Sequence, residues 1–389
     1  MKIIGMISGT SFDGIDVACC DFTQIDDVIE VRQIGFNSSE YSAELHQMIA
    51  DSMPPRSVDM ERVCVLDTLI GQAFSKAALA AIAEFSFHPD LVVSHGQTLF
   101  HWVGSNHRAK GTLQLGEPSW IAEATGAPVL SNIRSRDVAA GGHGAPLVSI
   151  LDQLLLGQSD KPEGALNLGG ISNITITGRS VAPMAYDIGP ANGLLDAAIS
   201  AYSEGKVSFD EDGKLAAAGT VDVNLLGIFL NEPYYSLPAP KSTGKELFHL
   251  QYLIERAGPV RSWNIENLMA TLLELTVETV AREVEKNSLS KLYIAGGGFA
   301  NPVMMARMQE RLTQCEVLSL LELGIDPRAK ESVAFALIGF LTLHGLPGQI
   351  PSCTGAVGER LLGSLTPGAY PLQVPTAAKT RPTRIRVVD

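Results

Sequence analysis

Two stretches of this 389-residue chain read alike, and that likeness limits its fold more than any other feature. Lys2–Ser8 is apolar and strand-like, Gly9-Thr10-Ser11-Phe12-Asp13-Gly14 is a polar turn, and 15–22 is apolar again. Residues 165–168, the turn Gly169-Gly170-Ile171-Ser172-Asn173 and residues 174–177 repeat the plan. Two apolar runs around a glycine-bearing turn predict a β-hairpin. One such hairpin opening each half predicts two related halves, each built on a mixed sheet. The length agrees, because single cores stop growing at roughly 250–300 residues.

Between the hairpins the pattern alternates. Apolar residues at helical spacing (Val63, Leu66, Ile70, Phe74, Ala77, Ala78) predict a helix over 59–87. A short buried strand at 90–94 is expected to end at His95-Gly96-Gln97-Thr98, and further helices at about 191–202, 265–286, 302–312 and 331–344. The strand Lys291–Ala295 runs into Gly296-Gly297-Gly298. Strands alternating with helices give an α/β class. Such sheets bind ligands at their strand ends, where these glycine turns fall. A boundary near 134–142 divides the chain into a first domain, 1–135, completed by 362–389, and a second, 136–361.

Composition removes several functions. A net charge of −13 with scattered basic residues excludes a phosphate-tracking nucleic-acid groove. The exception is the tail at 379–386, expected to drape over the surface. No run approaches the roughly 18 unbroken apolar residues of a membrane span. The N-terminal residues lack a signal-peptide pattern. Five cysteines without CxxC spacing describe neither a disulfide framework nor a zinc site, which points to a reducing cytoplasm.

Four motifs carry chemistry. The turn Gly9, Thr10, Ser11, Phe12, Asp13, Gly14, Ile15, Asp16 offers backbone N–H groups and hydroxyls to phosphate oxygens, with Asp13 and Asp16 as oxygen ligands for Mg²⁺; the alternative is an ordinary hairpin turn. Gly169 and Gly170 stand in the matching place of the second half. Three consecutive glycines, 296 to 298, imply close approach, either by an adenine and ribose lying on the backbone or by a tightly packed neighbouring helix. Asp187, before Ile188-Gly189-Pro190, is a carboxylate ionised at neutral pH and so suited to act as a general base, or a turn or cap residue. His95, His101 and His107 lack metal-ligand spacing. Glu331 opens a helix, where a carboxylate suits the dipole.

As a set, these motifs resemble the anhydro-N-acetylmuramic acid kinase family over about residues 1–370. The likeness runs through Ser8 to Asp16, Ser94-His95-Gly96-Gln97-Thr98, Gly141-Gly142-His143-Gly144-Ala145-Pro146-Leu147, Leu166 to Asn173, and Asp187-Ile188-Gly189-Pro190. It continues in Pro240-Lys241-Ser242-Thr243-Gly244, Gly296-Gly297-Gly298 with Asn301-Pro302, and Pro351 to Ala356. The resemblance implies a two-domain actin-like ATPase fold, ATP and Mg²⁺, a small-molecule sugar, and a homodimer. The implied reaction turns 1,6-anhydro-N-acetylmuramic acid, ATP and water into N-acetylmuramic acid 6-phosphate and ADP. It makes Asp187 the catalytic base, and the 9–16 turn, Gly169, Gly170, Asn173 and Gly296 to Gly298 the nucleotide contacts. His95, Gly96, Gln97, Arg134, Asp137 and Glu331 fall on the sugar side. Ile188, Ala191, Asn132 and His143 stand where the family usually has Thr, Gly, Asp and Gln, which bears on substrate contacts. Two other readings share the fold: an amino-sugar or hexose kinase without ring opening, and a non-enzymatic ATP-clamped sensor.

Overall fold

The computed structural model describes residues 1–9, 12, 14–54, 56–104, 108–244 and 247–388. In chain order the first strands are β1 (Lys2–Ser8), β2 (Gly14–Ile25), β3 (Val28–Glu40), β4 (Leu91–Val103), β5 (Ala109–Leu115) and β6 (Val129–Ser131), with helix α1 (Met60–Phe85) between β3 and β4. Next come β7 (Glu163–Leu168), β8 (Ile171–Gly178), β9 (Val181–Pro190), helices α2 (Asn192–Tyr202) and α3 (Ile265–Lys286), β10 (Lys291–Ala295), α4 (Pro302–Arg311) and β11 (Glu316–Ser319). The chain ends with α5 (Lys330–Leu343), β12 (Ser364–Thr366) and β13 (Arg384–Val387).

Two units result: Met1–Leu155 with Ala329–Asp389, and Leu156–Arg328. The expected crossings near 135 and 361 therefore move. Residues 136–155 and 329–361 belong with the first unit: Ser332 packs on Gly5, Arg134 holds Gly144, and the two segments are joined by the buried Lys330–Asp152 ion pair at 2.8 Å and by the Thr354 hydroxyl, which donates to Asp137 at 2.7 Å.

The two sheets share one plan. In the first unit β6, β4 and β1 run parallel, and β1, β2 and β3 form an antiparallel meander. In the second, β11, β10 and β7 run parallel and β7, β8 and β9 form the meander. The two hairpins read from the sequence are thus the same part of a duplicated α/β unit.

Local signals set the helix ends. Asp59 caps α1 by accepting from Arg62 N, Asn264 caps α3 by accepting from Asn267 N, and Asn301 caps α4 ahead of Pro302. By length and composition α1 is, among the described residues, the one helix suited to a membrane crossing. It instead buries Leu66, Ile70, Phe74 and Ala78 with Ile4 and Met6 of β1, and exposes Glu61, Lys76 and Glu84. Alternation along β1 leaves Gly5 for the opposite face. There α5, buried nearly all round, lies directly on the strand. A Cβ on Gly5 would overlap the Ser332 carbonyl oxygen, and one on Gly339 would overlap a methyl of Val93.

One expectation is corrected and another made specific. The strand expected at 90–94 runs on through His95 to Thr98 as part of the 13-residue β4, because β5 pairs with its outer half. Gly96, at φ 76°, makes a bulge against β1 and does not end the strand. The basic tail lies along the surface and is held there as a strand: β13 pairs in parallel with β3, and Arg386 and Arg381 form ion pairs with Glu30 and Glu359.

Gly5→Ala is expected to destabilise the protein by about 1–3 kcal/mol through forced separation of α5 from β1. A thermal or urea unfolding curve checks it, and a wild-type midpoint would show that the helix has room to move.

Candidate active site

In the first unit the hairpin turn between β1 and β2 is braced from beneath. Thr10, Ser11 and Asp13 lie outside the described residues. Ser8 Oγ donates to Gly14 O at 2.7 Å, and Phe12, at φ 50°, donates its N–H to Gly9 O at 3.1 Å. Gln97 Nε2 donates to that same Gly9 oxygen at 3.1 Å, while Tyr41 donates to Gln97 Oε1 at 3.4 Å. Gln97 is wholly buried. The resemblance put it on the sugar side, but here its amide is spent on holding the turn.

Arg134 organises the charged part of this unit. Its Nε donates to His95 Nε2 at 2.7 Å and its Nη1 to Gly144 O at 2.6 Å. A guanidinium only donates, so Nε2 of His95 must accept, and the ring proton sits on Nδ1, 2.9 Å from Gly96 O. Burial, then the charge of Arg134, hold His95 well below the ordinary histidine value, and it stays neutral. Glu331, in the first turn of α5, is raised by burial; Arg134 and Lys330 pull it down, and Asp16 pushes it up. Asp16, Arg134 and Glu331 therefore share one electrostatic neighbourhood. Asp137 is different. Fully buried, it accepts from Gly144 N through Oδ2 and from Thr354 through Oδ1, both at 2.7 Å. It is a strut for the 141–144 loop, not an exposed sugar contact.

In the second unit Asp187 lies near the end of β9, opposite Asn173 of β8. Its Oδ2 accepts from Ser242 Oγ at 2.7 Å and from Thr243 N at 3.0 Å. Its backbone N–H donates to Lys241 O at 3.1 Å, and Tyr234 donates to its carbonyl at 2.8 Å. Both donors grip the same oxygen, Oδ2, of this carboxyl group. Single-residue reasoning missed these partners; their only trace in the sequence was the Lys241-Ser242-Thr243 string.

The glycines divide into two kinds. A Cβ on Gly298 would stand 2.6 Å from that of Leu168, and one on Gly296, at φ 85°, would strike Asn167 and Leu168. Packing of the chain explains both. At Gly297 the nearest atom to an added Cβ is Asn192 Nδ2 at 3.8 Å, at Gly170 it is Gly193 Cα at 3.9 Å, and at Gly169 it is Ile171 O at 3.6 Å. Among the described residues nothing stands close enough to require glycine at those three. Their carbonyl side is occupied, since Asn192 N and Ala191 N donate to Gly169 O and Gly170 O at 3.0 and 3.1 Å. The packing partner of Gly296 and Gly298 is strand β7 and not the helix expected, and open backbone faces remain at Gly169, Gly170 and Gly297.

A family model described as anhydro-N-acetylmuramic acid kinase matches residues 1–368. The chain belongs to the anhydro-N-acetylmuramic acid kinase family. It is 48% identical over 389 residues to the anhydro-N-acetylmuramic acid kinase of Streptomyces coelicolor and 47% identical over 395 to that of Rhodococcus erythropolis, covering 100% of this chain and 99% of each relative. The Photobacterium profundum anhydro-N-acetylmuramic acid kinase is 36% identical over 95% of this chain and 99% of its own. Among solved structures, an activator of 2-hydroxyisocaproyl-CoA dehydratase from Clostridium difficile gives a TM-score of 0.41 at 11% identity, covering 87% of this chain and 94% of that one, a likeness too slight to weigh. The chain has two α/β units, each with a mixed sheet and flanking helices, as expected. Of its departures from the usual family residues, Ile188 and Ala191 are buried in the second core, and so bear on packing and not on sugar contact.

Two outcomes follow from this geometry. Gly297→Ala should leave stability within about 0.5 kcal/mol of wild type, whereas Gly296→Ala and Gly298→Ala should each lower it by about 1–3 kcal/mol; equal melting temperatures for all three would contradict the division. His95 supplies the second. Below its ordinary value of 6.5 the unfolded chain takes up a proton that the native imidazole refuses, so stability falls as pH falls. Thermal unfolding at pH 7 and pH 5 should show a loss of about 1–2 kcal/mol that is absent from His95→Gln.

Proposed function

We propose that this chain is an ATP-dependent kinase that opens 1,6-anhydro-N-acetylmuramic acid with water and phosphorylates O6, giving N-acetylmuramic acid 6-phosphate and ADP. The observation that carries the reading is the Asp187 carboxyl group, gripped by Ser242 and Thr243 in a chain that matches this kinase family from residue 1 to 368. Asp187 takes a proton from water, and the water oxygen attacks C1. The C1–O6 bond breaks, O6 accepts the γ-phosphoryl group, and ADP leaves. Each event assists the other, because negative charge arriving on O6 is taken up by phosphorus. Catalysis on this scheme is mostly alignment and charge stabilisation.

The open backbones of Gly169, Gly170 and Gly297 and the turn from Gly9 to Asp16 are assigned to the nucleotide, with Asn173 beside them. Arg134 and Glu331 are assigned to the sugar, with His95 and Gly96 fixing the Arg134 fork. Among the described residues no three metal-ligating side chains gather. That suits Mg²⁺, which binds through one or two carboxylates and the phosphates of its nucleotide. Asp16 is the carboxylate assigned to it, and the ion would neutralise charge on the transferred group. Five free cysteines suit a reducing cytoplasm. A homodimer is assigned from the family resemblance alone.

Asp187→Asn is expected to lose about 10²–10⁴ in kcat while still binding ATP; full turnover would remove the mechanism. In ¹⁸O-water the label should enter the sugar at C1. Phosphorylation without label would support simple transfer to an existing hydroxyl instead.

A further inference from the structure

The side chain of Lys241 is almost fully buried. Its ammonium donates to Tyr234 O at 3.3 Å and Tyr235 O at 3.0 Å, stands 3.8 Å from Glu283 Oε1, and lies over the Tyr234 ring at 4.8 Å. Side-chain exposure of Lys241 is 4% and of Glu283 8%, so the charges are paired within the protein. Glu283 in turn binds Lys286 at 3.1 Å and accepts from Tyr186 at 2.8 Å, whose hydroxyl also accepts from Asn287 at 3.2 Å. This network encircles Asp187. Tyr186 precedes it in β9, Tyr234 donates to its carbonyl, Lys241 accepts from its N–H, and the next two residues, Ser242 and Thr243, grip its carboxylate.

We propose that Lys241 is a positioning residue: its buried ammonium pins the 237–243 loop to α3 and to residues 234–235, and so holds Ser242 and Thr243 on the Asp187 carboxylate. The inference rests on the proposed function for its catalytic consequence, though not for the brace itself. A buried cation needs its donors satisfied. Here they are satisfied by two main-chain carbonyls of one segment and a carboxylate of another, which fixes where the loop carrying Ser242 must sit. Without that anchor the clamp would drift relative to Asp187, and a misplacement of about 1 Å is worth about 10² in rate. A residue that merely stabilised the fold would leave the clamp intact in the folded fraction.

The test compares wild type, Lys241→Met, Ser242→Ala and the double variant. Amide hydrogen exchange at Thr243 is read alongside steady-state kinetics with the anhydro sugar and binding of a non-hydrolysable ATP analogue. In K241M, Thr243 exchange should speed up at least about tenfold and kcat fall about 10²-fold, with the affinity for the analogue changed by less than about threefold. Because both residues act through one clamp, the double variant should lose about as much as the worse single one. Unchanged protection at Thr243, or losses that multiply in the double variant, would overturn the proposal. If K241M does not fold, Lys241→Gln, which keeps an NH₂ donor for one carbonyl, carries the same comparison. The exchange arm needs no turnover. A wild-type protein inactive on the anhydro sugar but with Thr243 loosened in K241M would sink the proposed function and leave the brace standing. Turnover by wild type with Thr243 protection unaltered in the variant would do the reverse.

Discussion

Glycines let neighbouring elements press directly on the main chain beside the groups assigned to the site. In the first unit the first turn of α5 rests on Gly5 of β1 and Gly339 rests on Val93, so the helix lies closer to the sheet than any larger residue would allow. Glu331 sits one residue before Ser332, the residue in that contact. Its place beside Arg134 and Asp16 is therefore set by the missing Cβ as much as by charge. The second unit repeats the device at Gly296 and Gly298 against Leu168, next to the hairpin turn at Gly169 and Gly170. Interiors at native density transmit such contacts with little slack.

The polar residues around these contacts fall into layers of differing freedom. Gln97, Asp137 and His95 have their hydrogen-bonding atoms committed within the protein and serve to orient Gly9, the 141–144 loop and Arg134. Lys330 and Asp152 form a buried pair of the kind that costs most when only one partner is removed. Arg134, Asp16, Glu331 and Asp187 are only half-buried and remain reachable. Rigidity thus lies behind the groups assigned to the proposed reaction, which is the arrangement a site needs when its work is alignment.

Much of this was legible before any coordinates. Helix α3 and strand β10 fall where apolar spacing put them, and the paired hairpins are the matching meanders of the two sheets. Three things were not legible, each for a physical reason. Gly96 and the polar residues after it look like a turn, but β5 supplies the pairing that keeps β4 extended, and that pairing is a tertiary fact. The Asp187 clamp comes from residues 55 and 56 positions away, beyond any local pattern. Gln97 and Asp137 share residue type and neighbourhood with ligand-binding groups; only their burial separates a strut from a contact. The strand β13 was open to a closer reading, because Arg384-Ile385-Arg386-Val387 alternates polar with apolar in the period of a half-buried strand.

That last strand has a consequence for how the chain behaves among its own copies. Without it, β3 would present a row of unpaired N–H and C=O groups along the margin of an eight-stranded sheet. Such a margin is a template for any other extended chain. The C-terminal residues cover β3 from Val28 to Val31, and Arg384 and Arg386 then turn outward as the new border. Charged residues at that position discourage a further strand from adding on. The closing segment thus acts as a selvedge, the woven border that keeps a cloth from unravelling into its neighbour. A version clipped before Arg384 would keep both cores and yet become sticky.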